Sequence, residues 1–240
     1  NIQNLEKKYK AVYILAHSMG GVVARKLVVQ NAINEAEHIA VVVSVASPLQ
    51  GAAVAPLADT RRVPLIAVAS APIQKGRNFV VRLEISTVEE AKKLAAFIQE
   101  KNYKRIGSIV AVHDGIQAGY TSLKVDPNFS DKEIVAESIN SGQEDFRTSL
   151  SKLLVEKPDV IFIGLLPGKA GEFGKQARSL GYTGDFVGFN FIEGEETLVA
   201  AQGNLDGIVY TQAADPQNWF SNKYQSEYQK SIGPGSAHMY

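Results

Sequence analysis

The stretch AVYILAHSMGGVVARKLVVQ, residues 11–30, carries the first side chain that could do chemistry, Ser18. Its pattern reads as a strand, a sharp turn and a helix, with Ala16 and Gly20 small enough to let a serine sit on a strained turn. A hydroxyl held this way is a nucleophile for acyl transfer, and N–H groups opening the next helix would supply half of an oxyanion hole. That chemistry also needs a carboxylate and then an imidazole from later strands. The later histidines are His38, His113 and His238. His38 falls just before the next strand, His113 is followed at once by Asp114, and His238 lies at the chain end. None stands where a catalytic imidazole is expected, so the turn also reads as glycines opening a helix tightly against a strand.

The elements that must position any site follow from the composition and the apolar pattern. Hydrophobic residues make up 45% of 240, and charged residues 21%. Such a chain forms a core, either as one large α/β domain or as two smaller lobes. Twenty-five basic and 25 acidic side chains cancel, so there is no electrostatic reason to expect nucleic acid or an anionic membrane surface. The absence of cysteine excludes disulfides, thiolate catalysis and Cys-based zinc sites. No metal and no cofactor is called for. No apolar run approaches the ~20 residues of a membrane span, so no direct membrane insertion is expected. Asn1 opens a polar stretch without a signal peptide, and both ends read as cut.

Short apolar runs predict strands at residues 11–16, 39–46, 63–68, 79–83, 106–112, 160–165, 185–189 and 207–211. Most are continuous, as in strands covered on both faces of a parallel sheet. Helices are predicted between them: one opened by the S-x-x-E box at Ser86, then 144–157, 173–180 ending at Gly181, and 215–228 opened by Asp215-Pro216. Alternating β and α elements mean parallel, doubly wound sheets. The runs 79–86 and 207–216 each read as a crossover between two such sheets. Residues 124–142 are expected to form a loop with a short strand at 134–137.

Two resemblances follow. Residues 9–52, with AHSMGG, ARKLV and VVVSVASPLQG, resemble α/β-hydrolases of the lipase and esterase type, which implies Ser18 as a catalytic nucleophile. From residue 47 onward the chain resembles the type 1 periplasmic binding proteins, in particular the leucine/isoleucine/valine-binding group of ABC transporters. The likeness runs collinearly through SPLQGAAVAPLADTRRVPLIAVASAP, GRNFVVRLEIS, YKRIGSIVAVHDGIQAGYTSLK, KPDVIFIGLLPGKAGEFGKQARSLGYTGDFVGFN and DGIVYTQAADPQNWFSNKYQ. No single motif in it is decisive. It implies two Rossmann-like lobes with parallel sheets, joined by crossover hinge strands and incomplete at both ends. The expected lobes are residues 1–85, 86–212, and a truncated return over 213–240.

This second resemblance implies a protein that binds without catalysis. It would hold a small amino acid or related carboxylate between the lobes, work outside the cytoplasm in the periplasm or extracellular space, and serve an ABC permease. Carried over by position, Gln50, Ala69 and Ser70 meet the ligand carboxylate, with Ser47-Pro48 in place of the family's Gly-Pro. Ile116 falls where many members stack a tyrosine, and Leu165 or Leu166 where a second ring is frequent, two losses that imply either a more apolar ligand or a sensor lobe with no transport role. Glu193 falls near the acidic position that pairs with the ammonium group. Each has a plainer reading. Ser70 suits a cap, Gln50 a solvated loop, and Glu193, beside Glu195 and Glu196, a helix N-terminus. Tyr120 suits either a cleft edge or a helix core, and Trp219, Tyr224 and Tyr228 suit packing on the last helix. The alternative function remains a serine hydrolase using Ser18.

Overall fold

The computed structural model describes residues 12–17, 39–45, 55–56, 58–68, 76–82, 87–212 and 218–229. The chain divides into two compact units, one of Asn1–Ser86 with Ala213–Tyr240 and one of Thr87–Gln212.

The first unit carries a parallel sheet of β1 (Val12–His17), β2 (Ile39–Val45), β3 (Leu65–Val68) and β4 (Val80–Arg82), in that order. These strands are the predicted ones, rich in valine and isoleucine, whose branched side chains favour the pleated conformation. Asp59 secures the approach to β4 by accepting the N–H groups of Asn78 (2.9 Å) and Phe79 (3.2 Å). Ala58, Leu65 and Ala67 are buried beside it.

The second unit opens with α1 (Thr87–Glu100) and a sheet in which β5 (Ile106–Ala111) leads to α2 (Asp114–Lys124) and α3 (Pro127–Ser130). Then come β6 (Glu133–Ile139), α4 (Arg147–Val155), β7 (Val160–Gly164), α5 (Lys169–Ser179) and β8 (Asp185–Gly188). A 3-10 turn (Asn190–Ile192), α6 (Glu195–Ala201) and β9 (Val209–Tyr210) complete it. The strand order is β6-β5-β7-β8-β9, all parallel. This is the doubly wound α/β architecture expected from the alternating pattern. All of β5 and β7 is buried, so both faces of the sheet are covered. Helices α1, α2 and α3 pack on one another, and α5 packs on α4 and α6, the two layers that right-handed crossovers leave on opposite faces of such a sheet.

Aromatic rings fill both layers. Phe162 meets Tyr120, Phe129 and Phe189 at centroid distances of 5.9, 5.9 and 5.2 Å, while Phe173 meets Phe146 at 5.6 Å. Tyr120 is therefore a core residue of α2. Its hydroxyl donates to Glu133 (2.6 Å), which also accepts from Ser108 (2.5 Å) and pairs with Lys124 (3.0 Å). A carboxylate with only 6% of its side chain exposed is thus fully partnered.

Residues 124–142 are not the loop expected from sequence. Asp126 caps α3 through the N–H of Asn128 (2.9 Å), Pro127 takes the first helical position, and Phe129 anchors the turn in the core. The strand that follows is longer than predicted. It lies at the sheet edge, and its alternating burial leaves only a thin apolar signal.

At the amino edge of this sheet the polar groups are closed on one another. Asp159 accepts the N–H groups of Lys104 (2.8 Å) and Arg105 (3.0 Å). Tyr103 donates to the Asp185 carboxylate (2.5 Å) and Tyr182 to the Asp185 carbonyl (2.9 Å). Arg178 donates to the carbonyls of Tyr182 and Gly184 (both 2.8 Å) and lies over the Phe186 ring. Finally α7 (Asn218–Tyr228) belongs to the first unit. Its Trp219 is exposed, and its Tyr224 and Tyr228 rings pair at 4.8 Å.

Candidate functional site

In an open parallel sheet the loops leaving the carboxyl ends of the strands form the ligand-facing edge. In the second unit that edge is built as follows. After β5, Gln117 donates to the carbonyl of Ala111 (3.0 Å) and Ser141 to that of Val112 (2.7 Å), fixing the turn into α2. His113 stands in this turn, its Nδ1 buried and without a hydrogen-bond partner among the described residues. After β7 the chain runs through buried Leu165, half-buried Leu166 and exposed Pro167 to Gly168, whose φ of 76° is a left-handed value that suits glycine. After β8 the turn at Asn190–Ile192 delivers Glu193, and Gly194 (φ 142°) opens α6.

These two loops and the start of α6 border an open groove of about 450 Å³ lined by Pro167, Glu193, Gly194, Glu195, Glu196 and Val199. They are fastened together. The N–H of Gly168 donates to Thr197 Oγ1 (3.1 Å), and Thr197 is buried. On α5, a Cβ at Gly171 would clash with the carbonyl oxygen of Thr197 and lie 2.7 Å from the N of Ala201, so α5 and α6 meet backbone to backbone there. Among the described residues no cation pairs with the carboxylates of Glu193, Glu195 or Glu196. Tyr210, at the end of β9, feels the first of them: burial raises its hydroxyl pKa, and the Glu193 charge adds to the rise. Further along, the Thr211 hydroxyl donates to buried Glu90 (3.2 Å), tying the exit of the unit to its first helix.

Of the residues singled out from sequence, Glu193 stands in this groove, half-buried. Leu166, half-buried on the β7 loop, packs against the core and is not among the groove-lining residues. Ile116 is elsewhere: it is wholly buried, its Cγ2 3.1 Å from where a Cβ on Gly164 would sit, so it packs α2 onto β7 inside the core. Leu165 is core as well. Ser18, Gln50, Ala69 and Ser70 lie outside the described residues. Sequence reasoning missed Thr197, Gly171 and Tyr210. Gly171 and Gly174, three apart on α5, were the available signal, since small residues at that spacing let another element approach closely.

Among the described residues no three or more His, Cys, Asp or Glu side chains are grouped to hold a metal, and no helix is long and apolar enough to cross a membrane.

The loops at the carboxyl edge of a parallel α/β sheet are where such folds commonly carry small-molecule sites. The chain belongs to the periplasmic binding protein family, whose model matches residues 21–239. An amino acid binding protein of Pseudomonas aeruginosa is 27% identical over 135 residues, which is 55% of this chain and 33% of that protein. Among solved structures, the leucine binding protein LivK of Thermotoga maritima matches with a TM-score of 0.71 at 20% identity, covering 91% of this chain and 66% of that one. LivJ of Streptococcus pneumoniae, solved with isoleucine, matches with a TM-score of 0.69 at 21% identity, covering 90% and 65%. These likenesses carry the fold. The chain spans about a third of the curated relative and two thirds of these solved chains.

Proposed function

We propose that this chain is the substrate-binding component of an ABC-type amino-acid transport system and holds a small amino acid or a related carboxylate. The observation that carries the reading is the Glu193 carboxylate, which faces a groove at the carboxyl edge with no cationic partner among the described residues. An α-ammonium group is a fitting partner. A charge-assisted hydrogen bond to it contributes about 1.5–3 kcal/mol when water is excluded. Pro167 and Val199 offer apolar surface to an aliphatic side chain. By the resemblance, Gln50, Ala69 and Ser70 of the first unit take the ligand carboxylate. The names of the relatives support the same ligand class: amino acid, leucine and isoleucine.

In this reading the protein binds and releases without a catalytic step. It works in the periplasm or outside the cell and hands its ligand to a permease. Calorimetric titration with L-leucine, L-isoleucine and the other proteinogenic amino acids tests it. The expected result is saturable heat for at least one of them, weakened about tenfold or more in Glu193→Gln. Absence of heat from the folded protein across the whole set overturns the reading. So does covalent labelling of Ser18 by a fluorophosphonate that is lost in Ser18→Ala.

A further inference from the structure

We propose that Thr197 is the positioning residue of the candidate site: its hydroxyl fixes the Glu193 loop against the β7 loop and so sets the width of the groove. The inference rests on the amino-acid reading of Glu193 given above. The backbone of the Glu193 loop is bracketed locally. The N–H of Glu193 donates to the carbonyl of Asn190 (3.0 Å), and the N–H of Thr197 donates to that of Gly194 (3.1 Å). These bonds shape the loop but do not attach it to the opposite wall. The attachment is Thr197 Oγ1, which accepts the N–H of Gly168 at 3.1 Å.

Both walls depend on this bond. Gly168 directly follows Pro167, which lines one side, and Thr197 lies one turn from Glu193 and Gly194, which line the other. Thr197 is 5% exposed, so water does not compete for the bond, and losing the acceptor leaves the Gly168 N–H without it. The backbone contact at Gly171 holds α5 and α6 in register beneath, so the hydroxyl works on a rigid base. Threonine also fits a packing role, through its methyl group. The two roles separate because valine keeps the shape without the hydroxyl, whereas serine keeps the hydroxyl without the methyl.

The test compares Thr197→Val and Thr197→Ser, each with and without Glu193→Gln, by titration with L-leucine. Hydrogen exchange is followed at Gly168 and at residues 193–197. The expected result is L-leucine affinity reduced about tenfold in Thr197→Val and restored to within about twofold in Thr197→Ser. Adding Glu193→Gln to Thr197→Val should cost less than the sum of the two. Exchange at Gly168 should quicken in Thr197→Val. If Glu193→Gln weakens binding while Thr197→Val binds as the wild type, positioning is overturned and the ligand reading stands. If Thr197→Val weakens binding while Glu193→Gln binds as the wild type, the Glu193 reading is overturned and Thr197 does not act through it. No L-leucine binding by the wild type overturns the leucine form of the ligand reading and with it the part Thr197 plays in binding. Unchanged exchange at Gly168 in Thr197→Val overturns the attachment itself.

Discussion

The two edges of the β5–β9 sheet are built from similar residues and put to opposite use. At the amino edge, Asp159 and Asp185 are carboxylates answered by backbone N–H groups and a tyrosine hydroxyl, and Arg178 closes on carbonyls. At the carboxyl edge, Glu193, Glu195 and Glu196 have no cation beside them among the described residues, and an apolar loop lies opposite. A carboxylate that is already satisfied stabilises the fold and has little left to offer a ligand. One that is not satisfied contributes little to folding and keeps its hydrogen-bonding capacity for another molecule. Stability and binding should therefore separate between the two edges.

The largest break in this comparison is expected from Gly171→Val. The new side chain has no space against the α6 backbone, so the second unit should lose about 3 kcal/mol or more in urea unfolding, and the carboxyl edge should lose its shape with it. Next is Asp159→Ala at the amino edge. Two backbone N–H groups lose their acceptor, and unfolding should become easier by about 2 kcal/mol, with amino-acid binding unchanged.

Alkaline pH should weaken the amino edge through Tyr182, whose pKa is raised above the usual 10.0 mainly by burial. The folded state holds that proton more tightly than the unfolded chain does. The stabilisation is whole below pH 10 and is lost as pH rises toward the folded value, at about 1.4 kcal/mol per pH unit. Urea midpoints between pH 9 and 11 should fall, and less steeply in Tyr182→Phe. The smallest effect on stability belongs to Glu193→Gln, within about 0.5 kcal/mol, although it should weaken binding most directly. A large loss of stability there would erase the distinction between the edges.

The sequence exposes these edges unequally. Strands β5 and β7 are legible because continuous apolar runs can only be covered on both faces. Strand β6 is legible only in its middle, residues 134–137, because an edge strand alternates with charge, and helix α3 is not legible, because a one-turn helix depends on a cap and a single buried phenylalanine. Glu193 comes into view through family resemblance, and nothing local sets it apart from Glu195 and Glu196. Ile116 could have been assigned to the core from spacing alone, since Ile116, Tyr120 and Leu123 form one stripe along α2. Thr197 stayed hidden because its role lies in a bond to a glycine 29 positions earlier, and no periodicity encodes that.

The exposed Trp219 on α7 has a practical consequence. It is the chain's single tryptophan, and it belongs to the unit that does not contain Glu193. Its fluorescence reports on that unit, while the near-ultraviolet dichroism sums the aromatic rings of both. Melting followed by both signals therefore reads, without any label, whether the halves come apart together or in turn.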